Sequence, residues 1–215
     1  ASDVYKRQIL NLLERFYDAS EGKILVDDID IKDMSQQSLR EKIGFVPQKA
    51  VLFSGTIAEN LRYGKEDATA EDLVHASKIA QAYDFISEKE NNFDSIVEQG
   101  GRNFSGGQKQ RLAIARALIR KPEIYVFDDS FSALDFKTDS KLRAALKSET
   151  KESAVIIVAQ RVSTIMDADR ILVLDDGNVV GMGTHKELLD NCAIYKEIAS
   201  SQLCLLYTSP SPRDA

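Results

Sequence analysis

Two stretches of this chain carry residue types that can do phosphate chemistry. The first is Phe104-Ser105-Gly106-Gly107-Gln108, which opens the run Lys109-Gln110-Arg111-Leu112-Ala113-Ile114-Ala115-Arg116-Ala117-Leu118. Glycines at a helix start let backbone N–H groups approach a ligand closely. The serine hydroxyl can donate as well, and the helix dipole favours an anion. Taken alone, three such small residues read first as an ordinary N-capped helix. The second stretch is Ile124-Tyr125-Val126-Phe127-Asp128-Asp129-Ser130, four apolar residues followed by two carboxylates. Ligand chemistry in α/β folds gathers at the C-terminal tips of buried parallel strands. A carboxylate there can hold a divalent cation. From the strand alone, Asp129 or Ser130 reads equally well as a helix N-cap.

These residues need elements to position them, and the pattern supplies strands alternating with helices. Ile9 to Phe16 has helical spacing, with Leu12, Leu13 and Phe16 on one face. Lys23 to Val26 and Ile43 to Val46 are short strands, the second stopped by Pro47. Glu71 to Phe85 reads as one helix, and Gln108 to Arg120 as another, ended by Lys121-Pro122. Ile124 to Phe127 and Ala154 to Val158 are continuous apolar runs, as expected of parallel strands buried on both faces. Lys137 to Leu146 is a further helix. Ile171 to Leu174, Asp176-Gly177-Asn178 and Val179-Val180 form a hairpin. Thr184 caps a last helix from His185 to Asp190, with Glu187 completing a capping box. The expected fold is α/β with a mostly parallel sheet. Ser54 to Gly101 is mostly helical and stands out as a lobe.

Composition narrows the function. The chain has 215 residues, 43% hydrophobic and 29% charged, which suits one soluble α/β domain. Its formal net charge of -6 argues against nucleic acid as the main partner. Cys192 and Cys204 have no metal-ligand spacing, and a reducing compartment fits them better than a disulfide. His75 and His185 are too far apart in sequence to suggest a metal site. No apolar run approaches the ~20 residues that span a bilayer, and no signal peptide is visible. Residues 1–8 and 204–215, the latter ending in Ser-Pro repeats, read as translated adapter or cloning sequence rather than natural protein.

The full run from Phe104 to Leu118 matches the signature motif of ABC ATPases. Other motifs follow in family order. Asp128 resembles the Walker B carboxylate that holds Mg²⁺, and Phe45-Val46-Pro47-Gln48 resembles the Q-loop. Phe53-Ser54-Gly55-Thr56-Ile57-Ala58-Glu59-Asn60-Leu61 looks like the exporter segment that comes next, and Glu98-Gln99-Gly100-Gly101 like the loop that meets the membrane domain. Ser132-Ala133-Leu134-Asp135 resembles the D-loop. Residues 9–203 are therefore similar to the nucleotide-binding domain of an ABC exporter, with a P-loop NTPase-like fold and a helical subdomain at about 54–118. The resemblance implies ATP and Mg²⁺ as ligands. It assigns Asp128 and Gln48 to the metal, and Asp129, Gln48 and Gln160 to hydrolysis. Ser105, Gly106, Gly107, Gln108 and Asp135 would contact nucleotide.

Three departures qualify it. The Walker A loop, Gly-x-x-x-x-Gly-Lys-Ser/Thr, is not seen. Lys6 falls in the lysine register, but Ala1 to Tyr5 contain no glycine and Arg7-Gln8 replace the hydroxyl residues. The loop and the first strands are expected to be missing. Asp129 stands where the catalytic glutamate is usual, and Gln160, in Val158-Ala159-Gln160-Arg161, where a histidine is usual. Together these look like the degenerate side of a heterodimeric exporter. The expected partners are a second nucleotide-binding domain and a transmembrane domain, at the cytoplasmic face of the plasma (inner) membrane. A soluble ABC ATPase working on ribosomes or DNA, and an importer subunit, fit the exporter-like segments less well.

Overall fold

The computed structural model describes residues 2–207, and the side chains of residues 5–202 within them. The chain divides into two units, Leu10–Val158 and Ala1–Ile9 with Ala159–Ala215. Helix α1 (Ser2–Leu13) runs from one into the other.

Helix α1 starts at Ser2 rather than Ile9, because nothing between them breaks a helix. It stops at Leu13 rather than Phe16. Arg15 turns left-handed (φ 54°), with Phe16 N–H donating to the Asn11 carbonyl and Arg15 N–H to that of Leu12. That is a Schellman ending built without glycine. The hairpin β1 (Leu25–Val26) and β2 (Ile29–Asp30) follows, turning at Asp27-Asp28, both with positive φ. Helix α2 (Gln36–Lys42), capped by Ser35, feeds β3 (Ile43–Val46). Then come β4 (Gly55–Thr56), α3 (Ile57–Arg62), α4 (Ala70–Ile79), α5 (Tyr83–Ser87) and β5 (Ile96–Val97), which pairs with β4. The single helix expected from Glu71 to Phe85 is broken. Gln81 is left-handed (φ 55°), and its carbonyl accepts a hydrogen bond from the Arg111 guanidinium at 2.7 Å.

Helix α6 (Gly106–Ile119), β6 (Ile124–Asp128), α7 (Phe136–Glu149) and β7 (Ala154–Val158) complete the larger unit. The sheet is parallel, in the order β3-β6-β7. Side chains of β6 alternate across it. Tyr125 and Phe127 enter a core with Leu112, Ile114 and Leu142, while Val126 joins Leu10, Leu39 and Ile43 on the other face. β7, expected to be buried on both faces, is not: Val155 is 42% exposed and Ile156 37%. It lies at the sheet edge, paired with β6 alone among the described residues.

The smaller unit holds α8 (Val162–Ile165), β8 (Ile171–Asp175), β9 (Asn178–Gly183), α9 (His185–Asn191) and α10 (Ala193–Tyr207). The hairpin and the Thr184–Glu187 capping box form as the sequence implies. Its core gathers Ile171, Val173, Leu188, Cys192 and Tyr195. Among the described residues no helix is long and apolar enough to cross a membrane.

The β1–β2 turn generates a test. Two-residue turns with both φ positive favour glycine at the second position. Asp28→Gly should stabilise the fold by about 0.5–1 kcal/mol, through relief of left-handed strain less the entropy cost of glycine. A denaturant midpoint that stays put or falls would reject that account.

Candidate functional site

The tip of β6 is where the sequence-derived residues converge. Asp128 ends the strand opposite Val158, and pairing runs one residue further, Asp129 N–H donating to the Val158 carbonyl at 2.8 Å. Asp129 then turns left-handed (φ 47°), a conformation aspartate tolerates better than most residues. Both carboxylates are buried, each 8% exposed. Gln48, two residues beyond β3, donates from Nε2 to Asp129 Oδ2 at 3.2 Å. The Ser130 hydroxyl donates to the Val46 carbonyl at 2.8 Å, and that of Ser132 to the Asp129 carbonyl at 2.8 Å. Neither Asp129 nor Ser130 is a helix cap. The cap of α7 is Asp135, whose carboxylate accepts from Thr138 N–H at 3.0 Å. Hydrogen bonding to Thr138 holds the Asp135 carboxyl below the usual carboxylate range.

The second cluster is the start of α6. The Ser105 hydroxyl accepts from Gln108 N–H at 3.2 Å, and Gln108 Oε1 from Ser105 N–H at 2.9 Å, a capping box. The ordinary-cap reading and the anion-site reading are therefore compatible. The box satisfies two N–H groups, while the helix's first N–H groups have no intrahelical partner. Ser105 and Gly106 are exposed, and a Cβ added to Gly106 would meet nothing within 4 Å. Gly107 is tighter: its Cβ would lie 3.3 Å from the Ala133 carbonyl, so this glycine lets α6 approach the loop before Asp135.

Two residues that sequence reasoning missed join these clusters. Gln110, 1% exposed, donates from Nε2 to the Pro47 carbonyl at 2.9 Å, fixing the segment that leads to Gln48. A glutamine in line with Leu112-to-Leu118 core positions was the available signal. Glu14, at the end of α1, faces Arg40 and Asp128. Its carboxyl is pushed up to about 7, chiefly by burial; Arg40 draws it down and Asp128 adds to the rise.

Gln160 belongs to the smaller unit, two residues along the chain from the end of β7. Its carbonyl accepts from Gln202 Nε2 at 2.7 Å. Lys6 sits within the continuous helix α1, not on a loop. Among the described residues no group of three or more His, Cys, Asp or Glu gathers to hold a metal. The donor chemistry at Asp128 suits Mg²⁺, which takes one or two protein oxygens and the rest from water and phosphate.

With this geometry in view, comparison with known proteins is decisive. The ABC transporter family model matches residues 6–132. The chain belongs to the ABC transporter family. It is 45% identical over 197 residues to the ABC transporter ATP-binding protein YfiB of Bacillus subtilis, covering 92% of this chain and 34% of that protein. It is 46% identical over 199 residues to the mitochondrial iron-sulfur clusters transporter atm1 of Aspergillus fumigatus, covering 92% of this chain and 27% of that one. The solved structure of a bacterial Atm1-family ABC exporter with ATP bound superposes with a TM-score of 0.91 at 41% identity. That match covers 94% of this chain and 36% of the exporter. The α/β, P-loop NTPase-like fold of an ABC transporter ATPase is thereby established. This chain spans about a third or less of the length of these relatives.

Glu14 makes stability depend on pH. Its folded pKa of about 7 lies above the 4.5 of an unperturbed glutamate. Its contribution is therefore complete below pH 4.5 and lost as pH rises through about 7. Glu14→Gln should gain stability relative to the parent as pH rises across that window. Denaturation at a series of pH values reads the gap between the two; a constant gap would refute the assignment.

Proposed function

We propose that this chain is the ATP-binding and ATP-hydrolysing domain of an exporter, and that its own hydrolytic site is the weaker of a pair. The observation that carries this is the meeting of Gln48 and Asp129 beside Asp128 at the tip of β6. Phosphoryl transfer depends mostly on positioning and charge stabilisation, and these groups suit that work. Asp128, with Gln48, would hold Mg²⁺, which when bound neutralises charge on the phosphate oxygens. Asp129 orients the attacking water and Gln160 hydrogen-bonds the γ-phosphate. Residues 9–203 form the functional domain, with a helical subdomain at about 54–118.

Both departures weaken this site. Aspartate is one methylene shorter than glutamate, so its carboxylate retreats by about 1.5 Å. A displacement of ~1 Å can cost ~10²-fold in rate. Glutamine at position 160 cannot carry the charge of an imidazolium. The signature is different: Ser105, Gly106, Gly107 and Gln108 stand at an open helix start. They, with Asp135, serve the ATP held by a second nucleotide-binding domain, which makes a heterodimer the expected assembly. Further along the chain from Gln48, the exposed Val51, Phe53 and Tyr63 offer apolar surface suited to a transmembrane domain. The site of action is then the cytoplasmic face of the plasma membrane.

Two experiments on the complete dimer test this. Asp129→Glu combined with Gln160→His should raise hydrolysis at this site by at least tenfold, measured with the other site disabled; no gain would remove these positions as the cause of weakness. Ser105→Arg should lower turnover at the partner's site and spare nucleotide binding at this one. Unchanged partner turnover would contradict a signature acting across the dimer.

A further inference from the structure

Helix α8 begins without a cap of its own: Arg161, the residue before it, makes no side-chain capping bond. Its first N–H is taken from elsewhere. Gln202, on α10, accepts from Val162 N–H through Oε1 at 2.7 Å and donates through Nε2 to the Gln160 carbonyl at 2.7 Å. One side-chain amide thus grips the backbone on both sides of Arg161, as a neighbouring β-strand's peptide group would.

The position of Gln202 on its helix gives the grip rigidity. Tyr195 and Ala199 are buried on α10, and Gln202 continues their i, i+4, i+7 line, where an apolar residue would ordinarily sit. Tyr195 is itself fixed, its hydroxyl 2.8 Å from His185 Nδ1. The amide is therefore carried on a packed face, and its hydrogen bonds fix the backbone of Gln160, hence the direction from which that side chain leaves the chain.

We propose that Gln202 is a positioning residue for hydrolysis: it holds Gln160 where it can meet the reacting phosphate. This rests on the reading of Gln160 given above. Gln202 touches neither nucleotide nor metal in this account; it acts through the Gln160 carbonyl.

The test uses the full-length exporter with its partner, the partner's hydrolytic site disabled, so that turnover reports this site. Gln202→Met keeps the side-chain length and removes both bonds. It should lower kcat about tenfold with KM for ATP within about twofold, given that ~1 Å of misplacement can cost ~10²-fold. Amide exchange at Val162 should rise by about tenfold or more while the melting temperature is kept. Gln202→Glu retains the acceptor for Val162 N–H but loses the donor to Gln160. It should protect the Val162 amide and still lower kcat, a split that a merely structural role would not produce. Gln160→Ala is the control. If it slows hydrolysis while Gln202→Met does not, the positioning role is wrong. If Gln202→Met lowers kcat, raises KM and lowers the melting temperature together, Gln202 is structural and the inference is overturned. If Gln160→Ala leaves turnover untouched, the reading of Gln160 fails and this inference falls with it, whatever the exchange data show.

Discussion

β6 is under two opposing demands, and the candidate site around it depends on how they are met. It is paired on both edges and covered on both faces, so its body must be apolar. It must also end in two carboxylates that water barely reaches. A buried charge without partners costs several kcal/mol. Gln48, just beyond β3, donates to the Asp129 carboxylate and so offsets part of this cost. The backbone that carries the carboxylates is held in turn, the Val158 carbonyl taking the Asp129 N–H and Ser130 tying the turn back to Val46. A fixed, dry set of donors and charges is also what transition-state stabilisation requires, since nothing need reorganise during reaction.

Helix α6 extends this order from the carboxylates to the signature. Gln110 bonds the Pro47 carbonyl, Arg116 that of Val51, and Arg120 those of Arg40 and Ile43. These side chains recur along one helix and end on the backbone flanking β3. Gly107 brings the same helix against Ala133. The start of α6, the segment leading to Gln48 and the segment before Asp135 therefore belong to one packed body, in which a shift at one place is resisted at the others.

The parts of this legible in the sequence were those fixed by local pattern. The strands Ile43–Val46 and Ala154–Val158 and the Thr184 cap are set by apolar runs, turn chemistry and capping spacing. The same rules failed where tertiary contacts decide. Gln81 breaks a helix that periodicity would continue, because Arg111, thirty residues along the chain, takes its carbonyl. The apolar character of β7 reads as burial on both faces, yet burial depends on neighbours that pattern cannot supply. At the candidate site, the sequence singles out Asp128, Asp129 and Gln48, but not the hydrogen bond by which Gln48 and Asp129 meet. Glu14 and Gln110 were missed because a polar residue on a helix says nothing by itself of what it will face.

The exposed side of β7 has a consequence beyond catalysis. Ala154-Val155-Ile156-Ile157-Val158 is β-branched after its first residue, uncharged and free of proline, the composition that lets strands of separate molecules stack. An unpaired edge of that kind is a template for another strand. Glu152 before it and Arg161 after it place a charge at either end, where like-charged neighbours in a stack would repel. Among the described residues this edge pairs with no second outer strand, so association through it would rise with the concentration of the chain even where each copy is fully folded.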